Sequence, residues 1–182
     1  GSERIRVTST GDVGIGDNAP NSNYGTNLSV HSTATDGARL KLSDGSTGKD
    51  NADGLDIIST GSIAYFINRE NADMAFYTNN SEALRIDSSG RLLLGTTTEG
   101  VGQSDDLTIA TSGDTGITVR SGTSSNGNLF FSDGTSGTDE YRGYVQYDHS
   151  ANELIFGSDA TARMRIDSSG RIGMGNDSPG SY

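Results

Sequence analysis

Arg165-Ile166-Asp167-Ser168-Ser169-Gly170-Arg171-Ile172-Gly173-Met174-Gly175 lies near the end of the chain, and Arg85-Ile86-Asp87-Ser88-Ser89-Gly90-Arg91-Leu92-Leu93-Leu94-Gly95 repeats it upstream. A looser third copy is Arg6-Val7-Thr8-Ser9-Thr10-Gly11-Asp12-Val13-Gly14-Ile15-Gly16. The turn glycines stand at 11, 90 and 170, spaced 79 and 80 residues apart. A near-constant period of this kind sets the architecture of a chain. Each copy reads as a β-hairpin. Leu84 and Ile86 alternate with Arg85 and Asp87, giving one apolar and one polar face at period two. Asp87 and Asp167 open the turns, where a carboxylate can accept a hydrogen bond from the backbone two residues on. Gly90 and Gly170 close them in the left-handed conformation that a short hairpin connection requires. In the return strands, Val13 and Ile15, Leu92 and Leu94, and Ile172 and Met174 are expected to face inward. Gly14 and Gly173 sit between them, and Leu93 departs from that pattern.

Outward from these hairpins, the chain divides into a truncated repeat end (3–16), a connector (17–27), a first full repeat (28–95), a second connector (96–106), a second full repeat (107–175) and the start of a further connector (176–182). Strands are predicted at 28–31, 38–43, 55–59, 63–68, 74–78, 83–87 and 91–95. In the second repeat they fall at 107–110, 117–121, 129–132, 144–148, 153–156, 163–167 and 171–175. The breaks are rich in Gly, Ser, Asn and Asp, and no stretch has helical periodicity. The predicted fold is all-β, built from tandem repeats of about 80 residues. The alternative is a pair of tandem monomeric β-sandwiches, although neither a Trp nor a Cys pair marks that fold.

Composition bears on assembly. Leu, Ile, Val and Phe make up just under a fifth of the chain, and the formal net charge is −11. Those values belong to disordered chains, yet the periodic pattern belongs to a folded one. Apolar faces pooled between several copies reconcile the two, so an obligate oligomer is expected. Nucleic acid is an unsuitable partner, because phosphate binding needs clustered cations and the only lysines are Lys41 and Lys49. No apolar run approaches the roughly 18 residues of a membrane span. Without cysteine there is neither a disulfide nor thiolate chemistry.

The string of Leu or Met, then Arg-Ile-Asp-Ser-Ser-Gly-Arg, with Asn176-Asp177-Ser178-Pro179 after its second copy, resembles the repeats of bacteriophage tail-fibre proteins. Many of those carry an intramolecular chaperone domain after such repeats. The resemblance covers two short stretches and the looser N-terminal copy. It implies an elongated, intertwined homotrimer located in the virion, concerned with host attachment, without catalysis and without a cofactor. A capsule depolymerase fragment and a bacterial surface adhesin of tandem sandwiches are the competing functions.

Two loop regions, 44–54 and 133–147, are the expected places for contact with a host polysaccharide or protein receptor, since loops on a rigid scaffold carry binding residues. Tyr141, Arg142, Tyr144 and Tyr147 combine aromatic faces with a hydrogen-bond donor and are the candidate receptor contacts. Asp44 and Asp50, and likewise Asp133 and Asp139, are candidate oxygen ligands for a cation. Their spacing matches no calcium loop, and an acidic, solvated hairpin loop is the simpler explanation. His31 and His149 occupy non-matching places and suggest no catalytic set.

Overall fold

The computed structural model describes residues 4–9, 11–17, 19–20, 28–32, 35 and 37–175. Most of the 17–27 connector and all of 176–182 lie outside them. The protein is all-β. Its strands are β1 (Ile5–Val7), β2 (Val13–Ile15), β3 (Leu28–Val30), β4 (Ala38–Leu42), β5 (Leu55–Thr60), β6 (Ile63–Asn68), β7 (Met74–Thr78), β8 (Ser81–Ile86), β9 (Leu92–Leu94), β10 (Leu107–Ile109), β11 (Asn126–Phe131), β12 (Gly143–Asp148), β13 (Glu153–Ser158), β14 (Thr161–Ile166) and β15 (Ile172–Met174). A 3-10 helix, Gly137–Tyr141, precedes β12. Four small sheets result, ordered β1-β2-β3, β4-β5-β6, β10-β9-β8-β7 and β11-β12-β13-β14-β15. Pairing is antiparallel except for β2 with β3 and β9 with β10.

The chain forms two compact units, Gly1–Thr115 and Gly116–Tyr182. In the first, β10 hydrogen-bonds to β9, so the sheet runs on past the second connector. The second holds the five-stranded sheet, with no second sheet among its described residues to make a sandwich.

The three hairpins share one hydrogen-bond scheme. Gly90 N–H donates to the Asp87 carbonyl (2.9 Å) and Asp87 N–H to the Arg91 carbonyl (3.0 Å); Gly170, Asp167 and Arg171 repeat this at 2.9 and 3.0 Å. In the first copy Thr8 replaces the aspartate: Gly11 N–H reaches its carbonyl, and its hydroxyl accepts from Asp12 N–H at 2.9 Å. Gly90 and Gly170 have φ of +86° and +78°, the left-handed region that closes a type I turn with a one-residue bulge. The Asp87 carboxylate accepts from Ser89 N–H, Arg91 N–H and Arg91 Nε at 2.7–3.0 Å. These bonds hold it below its ordinary pKa, first through the Arg91 backbone N–H, then through the Arg91 side chain. Asp167 is lowered by the same groups of Arg171.

Strand alternation sorts each sheet into two faces, and the registers show which is which. Across the five-stranded sheet one row reads Leu129, Val145, Phe156, Met164, Met174, and the next reads Gly127, Tyr147, Leu154, Ile166, Ile172. Comparable rows are Phe76, Leu84, Leu94, Ile109 and Met74, Ile86, Leu92, Leu107. The three-stranded sheets supply Ile5, Ile15, Val30 and Leu40, Ile57, Phe66. These apolar rows are expected to be the core. Instead they are largely open in the single chain, with Met174 79% and Phe66 65% exposed.

The buried positions lie on the opposite faces. Gly14, Leu93 and Gly173 stand opposite Arg6, Arg85 and Arg165 in register, and all three are buried. Leu93, at 1% exposure, and Ile155 are the fully buried apolar side chains among the described residues. The residue that departed from the alternation is thus the most deeply packed apolar one. At Gly14 the reason is visible, since an added Cβ would lie 2.3 Å from the Asp17 carbonyl and 3.1 Å from Pro20 Cγ. Asp17 and Pro20 therefore lie on that side of the hairpin.

Candidate functional site

The two loop regions are built differently. Residues 44–54 are tied down by buried charge. Asp56, wholly inaccessible on β5, accepts from Arg39 Nε (2.6 Å) and Arg69 Nε (2.9 Å). Its carboxyl is lowered, first by the Arg39 hydrogen bond. Both partners of such a pair must be present, because a lone buried charge is costly. Arg39 reaches on to Asn51 Oδ1 (3.1 Å), and Lys41 Nζ binds the carbonyls of Asp50 and Asp53. Asp44 accepts from Ser46 and Thr47 in its own turn, which lowers its pKa to about 2, chiefly through the Ser46 hydroxyl.

The second loop is stapled by Arg142. Its guanidinium meets Asp139 at 2.8 Å, Asp159 at 2.7 Å and Asp133 at 3.5 Å. These carboxylates raise its pKa, Asp139 most. Inside the loop Asp133 N–H donates to the Asp139 carbonyl (3.0 Å), and the Ser132 hydroxyl donates to the carbonyls of Gly134 and Asp139.

Of the candidate cation ligands, Asp133 and Asp139 are brought to one arginine. Asp44 and Asp50 belong to the first unit, and Asp44 is engaged in its turn. No set of three or more His, Cys, Asp or Glu side chains suited to a metal ion occurs among the described residues. Acidic groups elsewhere are similarly engaged: Asp73 and Glu82 with Arg85, Glu153 with Arg165, and Asp148 in an Asx turn with Ser150 and Ala151.

The four candidate receptor contacts fall on two faces. Tyr144 pairs with Phe130 on one side and Gly157 on the other. An added Cβ on Gly157 would lie 2.0 Å from the Tyr144 ring, so glycine is what lets the ring lie flat on the sheet. Phe130 meets Tyr144 edge-on at 6.3 Å and Tyr141 at 6.2 Å. Phe130, Tyr141 and Tyr144 thus make one partly exposed aromatic patch, rimmed by the Arg142 staple. Tyr147 lies on the opposite, apolar face. It packs edge-on against His149 at 4.9 Å and lines an open cavity of about 300 Å³ with Val119, Leu129, Val145 and Leu154. Phe130 is the patch member that sequence reasoning missed. Its signal was alternation within Leu129-Phe130-Phe131, which sends the middle residue to the tyrosine side.

No helix among the described residues is long and apolar enough to cross a membrane. Compared with known proteins, the chain matches no family model and no curated protein.

Proposed function

We propose that the chain is a structural segment of a bacteriophage tail fibre that works in the virion as an elongated, intertwined homotrimer of repeats about 80 residues long. The observation that carries this is the exposed apolar rows, present in every sheet. Isolated surface hydrophobics are ordinary, but continuous apolar faces mark contact surfaces. The recurrence of the Asp-Ser-Ser-Gly hairpin with an unchanged hydrogen-bond scheme supports a repetitive shaft, and its resemblance to tail-fibre repeats supplies the setting.

Light scattering on the purified chain is expected to give three copies. Met174→Glu and Phe66→Glu should lower that mass, because each would bury a charge against a neighbouring copy. In a monomer both changes would be surface substitutions within about 0.5 kcal/mol of neutral. A stable monomer at micromolar concentration would exclude the trimer.

Contact with the host surface is assigned to the Phe130, Tyr141 and Tyr144 patch, whose ring faces suit sugars. Whole-cell or glycan-array binding by the intact assembly, lost on Tyr141→Ala, is the expected result. Binding unchanged in Tyr141→Ala and Phe130→Ala would remove the patch, and absence of binding would leave a spacer.

A further inference from the structure

Within residues 116–121, Gly-Ile-Thr-Val-Arg-Ser, the expected strand 117–121 alternates as a strand should, yet the segment forms none. Their counterpart in order is Gly37-Ala38-Arg39-Leu40-Lys41-Leu42, which contains β4 and pairs with β5 through Leu40 opposite Ile57. Among the described residues no backbone group of 116–121 bonds to another backbone group. Ile117 and Val119 are 71% and 58% exposed, and the buried Ser121 hydroxyl has no partner. Residues 116–120 are exposed, and a strand-patterned run whose peptide groups have no backbone partner is a template for pairing with another chain.

The missing surface is in the same unit. β11 pairs with β12 on one side, and among the described residues no strand occupies its other edge. The chain's own 116–121 segment does not fill it. It crosses above the sheet, where an added Cβ on Gly127 would meet Ser121 Oγ at 3.6 Å and Val119 Cγ1 at 3.7 Å. A strand that extends a sheet must lie in its plane, about 4.8 Å to the side. Each copy therefore presents one unpaired strand-patterned segment and, at β11 in the same unit, an open sheet edge. A cyclic assembly satisfies all of them, since a head-to-tail contact closes when the rotation returns to the start.

We infer that residues 116–121 of one copy add as an antiparallel strand to the open edge of β11 in a neighbouring copy. The register that keeps the apolar residues on the apolar face of β11 sets Val119 against Leu129 and Arg120 against Asn128. Ile117 and Val119 then extend the apolar face, and Thr118 and Arg120 the polar one. The first repeat keeps the equivalent pair within one chain, so the exchange belongs to the second. This inference rests on the oligomeric role proposed above, and its test separates the two.

Because the chain has no cysteine, Arg120→Cys and Asn128→Cys can be placed on separate chains and co-expressed. Directly opposed strand residues meet the spacing a disulfide needs. The expected result is a covalent two-chain species on a non-reducing gel that neither variant gives alone. In the double variant R120C/N128C the link should again join different chains. A link confined to single chains, or no link in assemblies of undiminished mass, overturns the strand exchange and leaves the oligomer standing. Hydrogen exchange on the unmodified protein gives an independent check: amides of 116–121 should exchange slowly in the assembly, and rapid exchange throughout the segment overturns the inference. An unmodified chain that is monomeric by light scattering overturns both.

Discussion

Replacing Gly90 isolates the energetics of the repeated turn. Its φ is +86°, and a Cβ added there would meet no atom within 4 Å. Alanine therefore fits the space and strains only the backbone. The left-handed conformation costs a non-glycine residue about 1–2 kcal/mol, and reduced freedom of the unfolded chain offsets about 0.4–1 kcal/mol of that. The net expectation for Gly90→Ala is roughly 1 kcal/mol, or about 2–4 °C in a chain of this length. Gly90→Asn should cost less than half as much, because asparagine adopts this region more readily. Asn79, Asn80 and Asn152 already do so at φ of +48°, +59° and +54°. Gly102, which has open space around it and is not among the positive-φ glycines, serves as the control, and alanine there should leave the midpoint unchanged or slightly raised. Thermal unfolding followed by circular dichroism at one fixed protein concentration reads all three, since association makes the midpoint concentration-dependent. Equal losses for Ala and Asn at position 90, or none for either, would refute the left-handed closure of the hairpin.

Leu93→Ala should destabilise by about 2–4 kcal/mol, because it removes one of the few fully buried side chains; a loss below 1 kcal/mol in denaturant unfolding would contradict that burial. Gly157→Ala should be costly in the native background and nearly neutral beside Tyr144→Ala, and additive losses in the double-mutant cycle would contradict the ring-on-glycine contact. Acid should weaken the fold in a defined window. Asp44, Asp87 and Asp167 have lowered folded pKa values, so the stability they contribute is complete above the unfolded carboxyl value of about 3.9 and is lost as pH falls through the folded values. Midpoints should hold from pH 7 to 5 and drop below about pH 4, and Asp87→Asn with Asp167→Asn should blunt the drop; an identical drop in that variant would refute the assignment.

Sequence by itself determined the local structure. Thr8, Asp87 and Asp167 start turns because a side-chain oxygen five residues before the return strand can cap the turn's N–H groups. Gly11, Gly90 and Gly170 end them because φ is positive there. Both causes act over five residues, so they are legible in a string. Strand positions followed from alternation for the same reason, and the expected positions of β6 and β7 match those observed.

Which face is covered was decided only by tertiary structure. Alternation separates Leu92 and Leu94 from Leu93 but carries no sign that says which side a connector will lie on. The return of the chain through β10, parallel to β9, and the placing of the apolar rows in the open are non-local outcomes. The same limit applied to the loops. Arg142 lies three residues from Asp139 in sequence, but its third partner, Asp159, arrives from the turn after β13. Tyr144 and Tyr147, three residues apart on one strand, point to opposite faces, so the four residues grouped by sequence became one patch and one outlier. Phe130 joined that patch across a strand pairing that nothing in its own neighbourhood announces. Residues 116–121 mark the boundary between the two levels. Their strand pattern is local and readable, but a strand exists only where another edge accepts its hydrogen bonds, and among the described residues none accepts theirs.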